Sequence, residues 1–276
     1  MRWIRLTKTI NAQSNQLVFR LRSSSTFTKN VGDEPFYGRA REPYKSNRLD
    51  LTLQHAFTAL RDPTRADAVA AVGELTGTVA LRNLHNRMEQ DPVGRRILQD
   101  RPLVSKATIP FAALIEQSKQ PTTQEESTFG QAYGTYLREH EFDPDARDPV
   151  RYFDPASDEA YIITRYRQCH DFWHALTGLP PTVPGELGLK WLELFQTGLP
   201  VAAMSCTAAV WTLPWNEQKL VWEVYLPWAR RAHERIQSQG THLLNVYYEE
   251  EWDTPLLQLR ARLGIEPAPS ENTRSM

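Results

Sequence analysis

The sequence predicts an all-α fold: a single helical domain over residues 48–266 with a metal site on an antiparallel helix pair. Three observations predict it. Apolar residues recur at three- and four-residue spacing nearly throughout. Runs with the two-residue alternation of half-buried strands are scarce. Gly and Pro mark most of the ends of the periodic segments, where they stop helices. The 276-residue chain is 41% hydrophobic, with eight Trp, ten Tyr and ten Phe, so it can bury a substantial core. No internal repeat is present.

The elements follow in order. Leu49, Leu53, Ala56 and Leu60 predict a helix ending before Asp62-Pro63, and a second runs from Ala66 to Leu75. Val79 to Met88 is helical and closes at Asp91-Pro92, and a short helix spans Val93 to Leu98. Pro102, Pro110 and Pro121 make residues 101–126 a loop with short turns. Phe129 to Glu139 is helical. Residues 142–156 carry three Asp-Pro steps and read as an ordered connection packed by Tyr152 and Phe153. Asp158 to Thr177 is a long helix with Ser157 as N-cap, acids in its first turn and Gly178 just past its end. Pro184 opens a partner helix that reaches about Gln196.

Residues 194–216 hold 23 positions without a charge. Pro200, Pro214 and several Thr and Ser weigh against a membrane span, so this stretch is expected to be a buried helix or the wall of an apolar cavity. Glu217 to Gln239 is helical with a break at Pro227, and Asp253-Thr254 starts a last helix that ends at Gly264. Residues 267–276 read as a disordered tail.

Residues 1–32 contain six Lys and Arg and no acid, with the run Ser23-Ser24-Ser25-Thr26. That composition describes a mitochondrial transit peptide, and residues 33–47, with Pro35, Gly38 and Pro43, a linker. Removing the six positive charges takes the formal charge from −1 to about −7. Phosphate contacts require a basic face, so a chain of that charge is not expected to bind nucleic acid. Two cysteines, Cys169 and Cys206, argue against a disulfide framework, and Cys169 is expected to be a buried, inert thiol.

The chemistry sits at His170-Asp171-Phe172-Trp173-His174, followed by eleven residues and Glu186. On a helix His170 and His174 lie about 40° apart, and Asp171 extends the same face to an arc of about 100°. The apolar stripe Ile162, Tyr166, Cys169, Trp173 and Leu176 lies beside them, so the polar group borders the buried face. The short reversal through 178–185 returns Glu186 to the level of His174. Two imidazoles and one or two carboxylates suit zinc or a similar divalent metal. The alternative is a solvated helix end with an incidental His pair. A His-Asp phosphohydrolase would need further His-Asp steps, and His55, His85, His140, His233 and His242 supply none. Lys190 is expected to pair with Glu186 four residues earlier or, less simply, to contact a substrate carboxylate. Arg165 and Arg167 are expected in solvent.

The run RYRQCHDFWHALTGLPPTVPGELGLKWLELFQTGLP (residues 165–200) resembles the core of the mitochondrial ubiquinone (coenzyme Q) biosynthesis protein 4 family, whose motif is His-Asp-x-x-His, eleven residues, then Glu. The segments DAVAAVGELTG (67–77), GRRILQDRP (94–102) and NVYYEEEWDTPLLQLRARLGI (245–265) resemble it as well, in colinear order. The resemblance implies a peripheral protein on the matrix face of the mitochondrial inner membrane. It implies a divalent metal, zinc for preference, on His170, Asp171, His174 and Glu186. It further implies membership of a ubiquinone-synthesis complex and C1-decarboxylation of a 4-hydroxy-3-methoxy-5-polyprenylbenzoate lipid, in a simple or an oxidative form. Asp171 and Glu186 are then the expected proton carriers and Lys190 a substrate contact. If Asp171 is not a ligand, three donors remain and one position stays open. A lipid-binding scaffold of the complex is the non-catalytic alternative, and a homodimer is a further expectation.

Overall fold

The computed structural model describes residues 76–123, 126–147, 149–151 and 153–269. The expected transit peptide, the linker, the helices over 49–60 and 66–75 and the Tyr152 contact lie outside the described residues. The described residues hold helices and no strand, with one isolated bridge between Thr128 and Pro255.

Helices α1 (Thr78–Gln90) and α2 (Pro92–Asp100) meet at Asp91. Its carboxylate accepts from the Gly94 N–H at 2.8 Å, and Pro92 starts α2 where a missing N–H costs nothing. The predicted loop over 101–126 is corrected in part: Phe111–Gln117 forms α3, with Pro110 at its N-terminal boundary and Leu114 buried. Pro110 thus begins a helix rather than interrupting a chain of turns. Helix α4 (Phe129–Glu139) has a complete capping box, Thr128 and Gln131 each bonding the other's backbone N–H. The connection that follows holds a 3₁₀ turn, Pro144–Ala146, and a buried Phe153.

Helix α5 (Asp158–Thr177) is buried on nearly every side, so it forms the centre of the fold. Ser157 Oγ accepts from the Ala160 N–H at 3.2 Å, and Gly178 (φ 72°) ends the helix in the left-handed region, its N–H on the His174 carbonyl at 2.8 Å. Helices α1 and α4 pack on α5, and α3 covers α4. Around the Phe172 ring, centroids stand at 4.7 Å (Tyr133), 5.0 Å (Tyr248), 5.6 Å (Phe129) and 5.7 Å (Trp252). The expected stripe is buried throughout. Trp173 Nε1–H donates to the Tyr248 hydroxyl at 3.0 Å, which donates on to the Leu243 carbonyl at 3.0 Å.

Arg165 is not in solvent. It is fully buried, donates to both oxygens of Glu249 and to the Val246 carbonyl at 2.9 Å, and ties α5 to the 3₁₀ turn Tyr248–Glu250. Its partner lies 84 residues away, so no local pattern announces it. Arg167 is half-buried. Cys169 is buried, and burial pushes its thiol up to about 12, which leaves it inert.

Helix α6 (Val183–Thr197) packs against α7 (Pro200–Ala208) and against the stretch that runs through α8 (Trp215–Lys219), a π turn (Leu220–Tyr225) and α9 (Leu226–Ser238). The break expected at Pro227 appears one turn earlier, as this π turn. Proline 227 supplies no N–H to the carbonyl four residues back, and the widened turn absorbs the mismatch. Among the described residues no helix is long and apolar enough to cross a membrane. The uncharged stretch runs from the end of α6 through α7 and a 3₁₀ turn, Val210–Thr212, into the start of α8, and it is not wholly buried: Trp211 is 72% exposed. Helix α10 (Leu256–Leu263) closes the fold. The first part of the expected tail is held, because the Ala268 N–H bonds the Thr177 carbonyl at 2.8 Å.

Candidate metal centre

Helices α5 and α6 meet along a polar seam. His174 pairs with Glu186, His170 with Glu186 and Glu193, and Tyr166 with Glu193. The partners step back along α5 as they step forward along α6, so the pair is antiparallel. The turn between them is tightly built. Thr182 caps α6 by accepting from the Gly185 N–H at 3.3 Å. A Cβ at Gly185 would stand 2.1 Å from the Pro180 carbonyl oxygen, so only glycine lets the first turn of α6 come this close. Glu186 is the next residue.

Three of the expected donors converge. His170 Nε2 lies 3.2 Å from Glu186 Oε2, His174 Nε2 lies 3.1 Å from Glu186 Oε1, and the two Nε2 atoms are 3.2 Å apart. One donor atom from each of the three residues falls within 4.8 Å of the others. Asp171 does not join them. Its carboxylate pairs with Arg147 of the connection before α5. The attraction of Asp171 outweighs the cost of burial and raises the Arg147 pKa. Asp171 thereby fastens that connection to α5.

The far ring nitrogens set the tautomers. His174 Nδ1–H donates to the Leu179 carbonyl at 2.9 Å, and the ring stacks on Tyr136 at 5.1 Å. His170 Nδ1 stands 2.5 Å from Glu193 Oε1, an acceptor, and so carries the proton. Lys190 does not pair with Glu186. Its Nζ donates to Glu193 Oε2 at 2.6 Å and lies 3.3 Å from His170 Nδ1. Glu193 is fully buried and also accepts from the Tyr166 hydroxyl. This residue went unanticipated, although Glu186, Lys190 and Glu193 stand at i, i+4 and i+7 and share one helix face.

When both imidazoles are neutral, with the proton on Nδ1, two Nε2 lone pairs and a carboxylate face one another at about 3 Å. Such an acceptor cluster asks for positive charge, and a divalent cation with borderline preference for nitrogen and oxygen fits it. The electrostatics have the same origin. Burial and Lys190 lower the His170 pKa, but Glu186 and Glu193 outweigh them and raise it. Burial pushes Glu186 up, while His174 and His170 pull it well below the usual carboxylate range. Burial also opposes ionisation of Glu193, yet Lys190 and His170 hold it at about 2. Glu186 is one third exposed, at 34%, so the cluster opens to one side.

The family model described as coenzyme Q (ubiquinone) biosynthesis protein Coq4 matches residues 37–269. The mitochondrial ubiquinone biosynthesis protein COQ4 of Arthroderma otae is 40% identical over 223 residues, which is 80% of this chain and 79% of the relative. The COQ4 homolog of Xenopus tropicalis is 35% identical over 263 residues, 91% of this chain and 89% of the relative. That of Bos taurus is 39% identical over 219 residues, 79% and 78% of the two chains. A crystal structure of a putative ubiquinone biosynthesis protein from Nostoc punctiforme superposes with a TM-score of 0.59 at 19% identity. It covers 79% of this chain and 99% of that one, and shows a shared fold.

Proposed function

The chain belongs to the coenzyme Q (ubiquinone) biosynthesis protein Coq4 family, and from that premise we propose that it is a metal-dependent carboxy-lyase of mitochondrial ubiquinone synthesis. Its substrate in this reading is a 4-hydroxy-3-methoxy-5-polyprenylbenzoate, which loses its C1 carboxylate to give a 2-methoxy-6-polyprenylphenol. It works at the matrix face of the inner membrane, beside other proteins of the pathway. The observation that carries the proposal is the acceptor cluster of His170, His174 and Glu186, whose fourth candidate, Asp171, is engaged elsewhere. Three donors leave a position open for substrate, which a purely structural four-donor site would not.

His170, His174 and Glu186 would hold the ion, zinc for preference. When bound, it supplies a Lewis acid that stabilises negative charge developing on the substrate oxygens. The remaining work falls to the chain. Glu193, neutralised by Lys190, fixes the His170 tautomer so that Nε2 faces the cluster. The Leu179 carbonyl does the same for His174. Loss of the carboxylate as CO2 takes one proton at the ring carbon, drawn from solvent, and Glu186, one third exposed beside the cluster, is assigned to pass it on. Asp171, bound to Arg147, is assigned a positioning role, and Lys190 is assigned to Glu193 rather than to substrate.

The test is turnover by protein starting near Asp33, with its metal quantified, on the polyprenyl methoxy-hydroxybenzoate with and without oxygen. His170→Ala and Glu186→Ala should abolish both metal and product. Oxygen dependence would select the oxidative form. Metal bound without turnover under any condition would overturn the lyase and leave a scaffold of the same pathway.

A further inference from the structure

Among the described residues, most large apolar side chains in solvent stand singly, but two share one short piece of chain. Trp211, in the 3₁₀ turn, is 72% exposed, and Trp215, first in α8, is 69% exposed. Four residues apart, their Cα atoms lie within about 14 Å by chain length alone. Thr212 and Pro214 between them are exposed, Leu213 is half-buried, and all of residues 194–216 are uncharged. At the edge, Glu217 is half-buried and Lys219 is exposed, with its Nζ 5.8 Å from the Trp215 ring centroid. Behind the tips, Trp211 reaches Trp222 at 6.4 Å and Trp222 reaches Trp191 at 5.7 Å. Trp191 sits on α6, five residues after Glu186. A small apolar cluster of Leu187, Val210 and Val221 lies alongside.

We propose that Trp211 and Trp215 are the tips by which this protein docks on a lipid bilayer, with Lys219 meeting the headgroup phosphates. The proposal takes from the function above only that the partner is a lipid surface, and adds which residues touch it. Area decides against a second copy of the chain. A stable dimer buries about 800 Å² per partner, whereas two indoles this exposed offer about 300 Å². Shallow insertion needs no more than that. An indole places its ring at the acyl boundary and its N–H at headgroup level, and one nearby cation adds attraction to anionic lipid. The aromatic contacts from Trp211 through Trp222 to Trp191 make the docking turn continuous with the helix that carries Glu186.

The full-length protein and its Trp211→Ala/Trp215→Ala variant are titrated with neutral phosphatidylcholine vesicles and with phosphatidylcholine–phosphatidylglycerol vesicles. The neutral vesicles separate the aromatic contact from attraction to the basic N-terminus. The double variant should bind both at least about tenfold more weakly, with unchanged circular dichroism and zinc content. Lys219→Ala should lose binding only to the anionic vesicles, and less so in high salt. Brominated acyl chains should quench the fluorescence of the unmodified protein and spare the double variant. Equal vesicle binding by the variant, or no quenching of the unmodified protein, would overturn the proposal. So would a variant that loses only self-association, since the occupant would then be a second copy. No arm reads turnover, so failure of the lyase assignment cannot be mistaken for failure of this one.

Discussion

Helix α5 presents two kinds of packing. On one face Phe172 is enclosed by Phe129, Tyr133, Tyr248 and Trp252. On the other, His170 and His174 meet Glu186 and Glu193 of α6. Both regions are dense, but their energetics differ. Ring burial stabilises directly, with about 0.5–1.5 kcal/mol per aromatic pair beyond area. Buried ions instead lose hydration that their pairing roughly offsets, so the seam adds little net stability. The aromatic face holds the helix still, and the seam uses that rigidity to press acceptors together.

The sharpest way to break this contrast is Phe172→Ala. Urea unfolding should lose about 3–5 kcal/mol, while the fraction that remains folded binds zinc as before. Next comes acid. Near the C-terminal end of α6, His242 Nε2–H bonds the Gln196 carbonyl at 2.6 Å, while its buried Nδ1 has no partner. Burial lowers its pKa from 6.5 to about 4. The unfolded chain therefore binds a proton that the folded one refuses. The stability from this group is complete above about 6.5 and lost as the pH falls to about 4, a change of about 2–3 kcal/mol. Unfolding curves at pH 7 and pH 4 should show that loss, and His242→Gln should flatten it. Glu193→Gln should weaken zinc about 10- to 100-fold in a chelator competition, while costing less stability than Phe172→Ala. Asp171→Asn should give the smallest change in zinc affinity, within about threefold, because it strands Arg147 rather than the ion, at about 1–3 kcal/mol of stability. A collapse of zinc affinity in that variant would return Asp171 to the cluster.

The local part of this design was legible in the sequence. Ser157, Gly178 and the proline-rich reversal announce both ends of α5 and the start of α6, because caps and turns are decided by neighbours in the chain. The convergence of His170, His174 and Glu186 likewise needs only helical spacing and a short reversal. What escaped depends on distance. Arg165 looks like a surface charge until Glu249 arrives from the other end of the chain, and nothing beside Asp171 in the sequence announces its pairing with Arg147. The helix Phe111–Gln117 was hidden because proline marks helix starts as readily as loops.

The turn over 178–185 has one further consequence, in the order of assembly. The converging donors span only residues 170–186. Closing so short a loop costs little chain entropy compared with the pairing of Arg165 and Glu249. The unfolded chain can therefore bring its acceptors face to face before Arg165 finds Glu249, and an ion captured then would staple the helical hairpin on which the other helices condense.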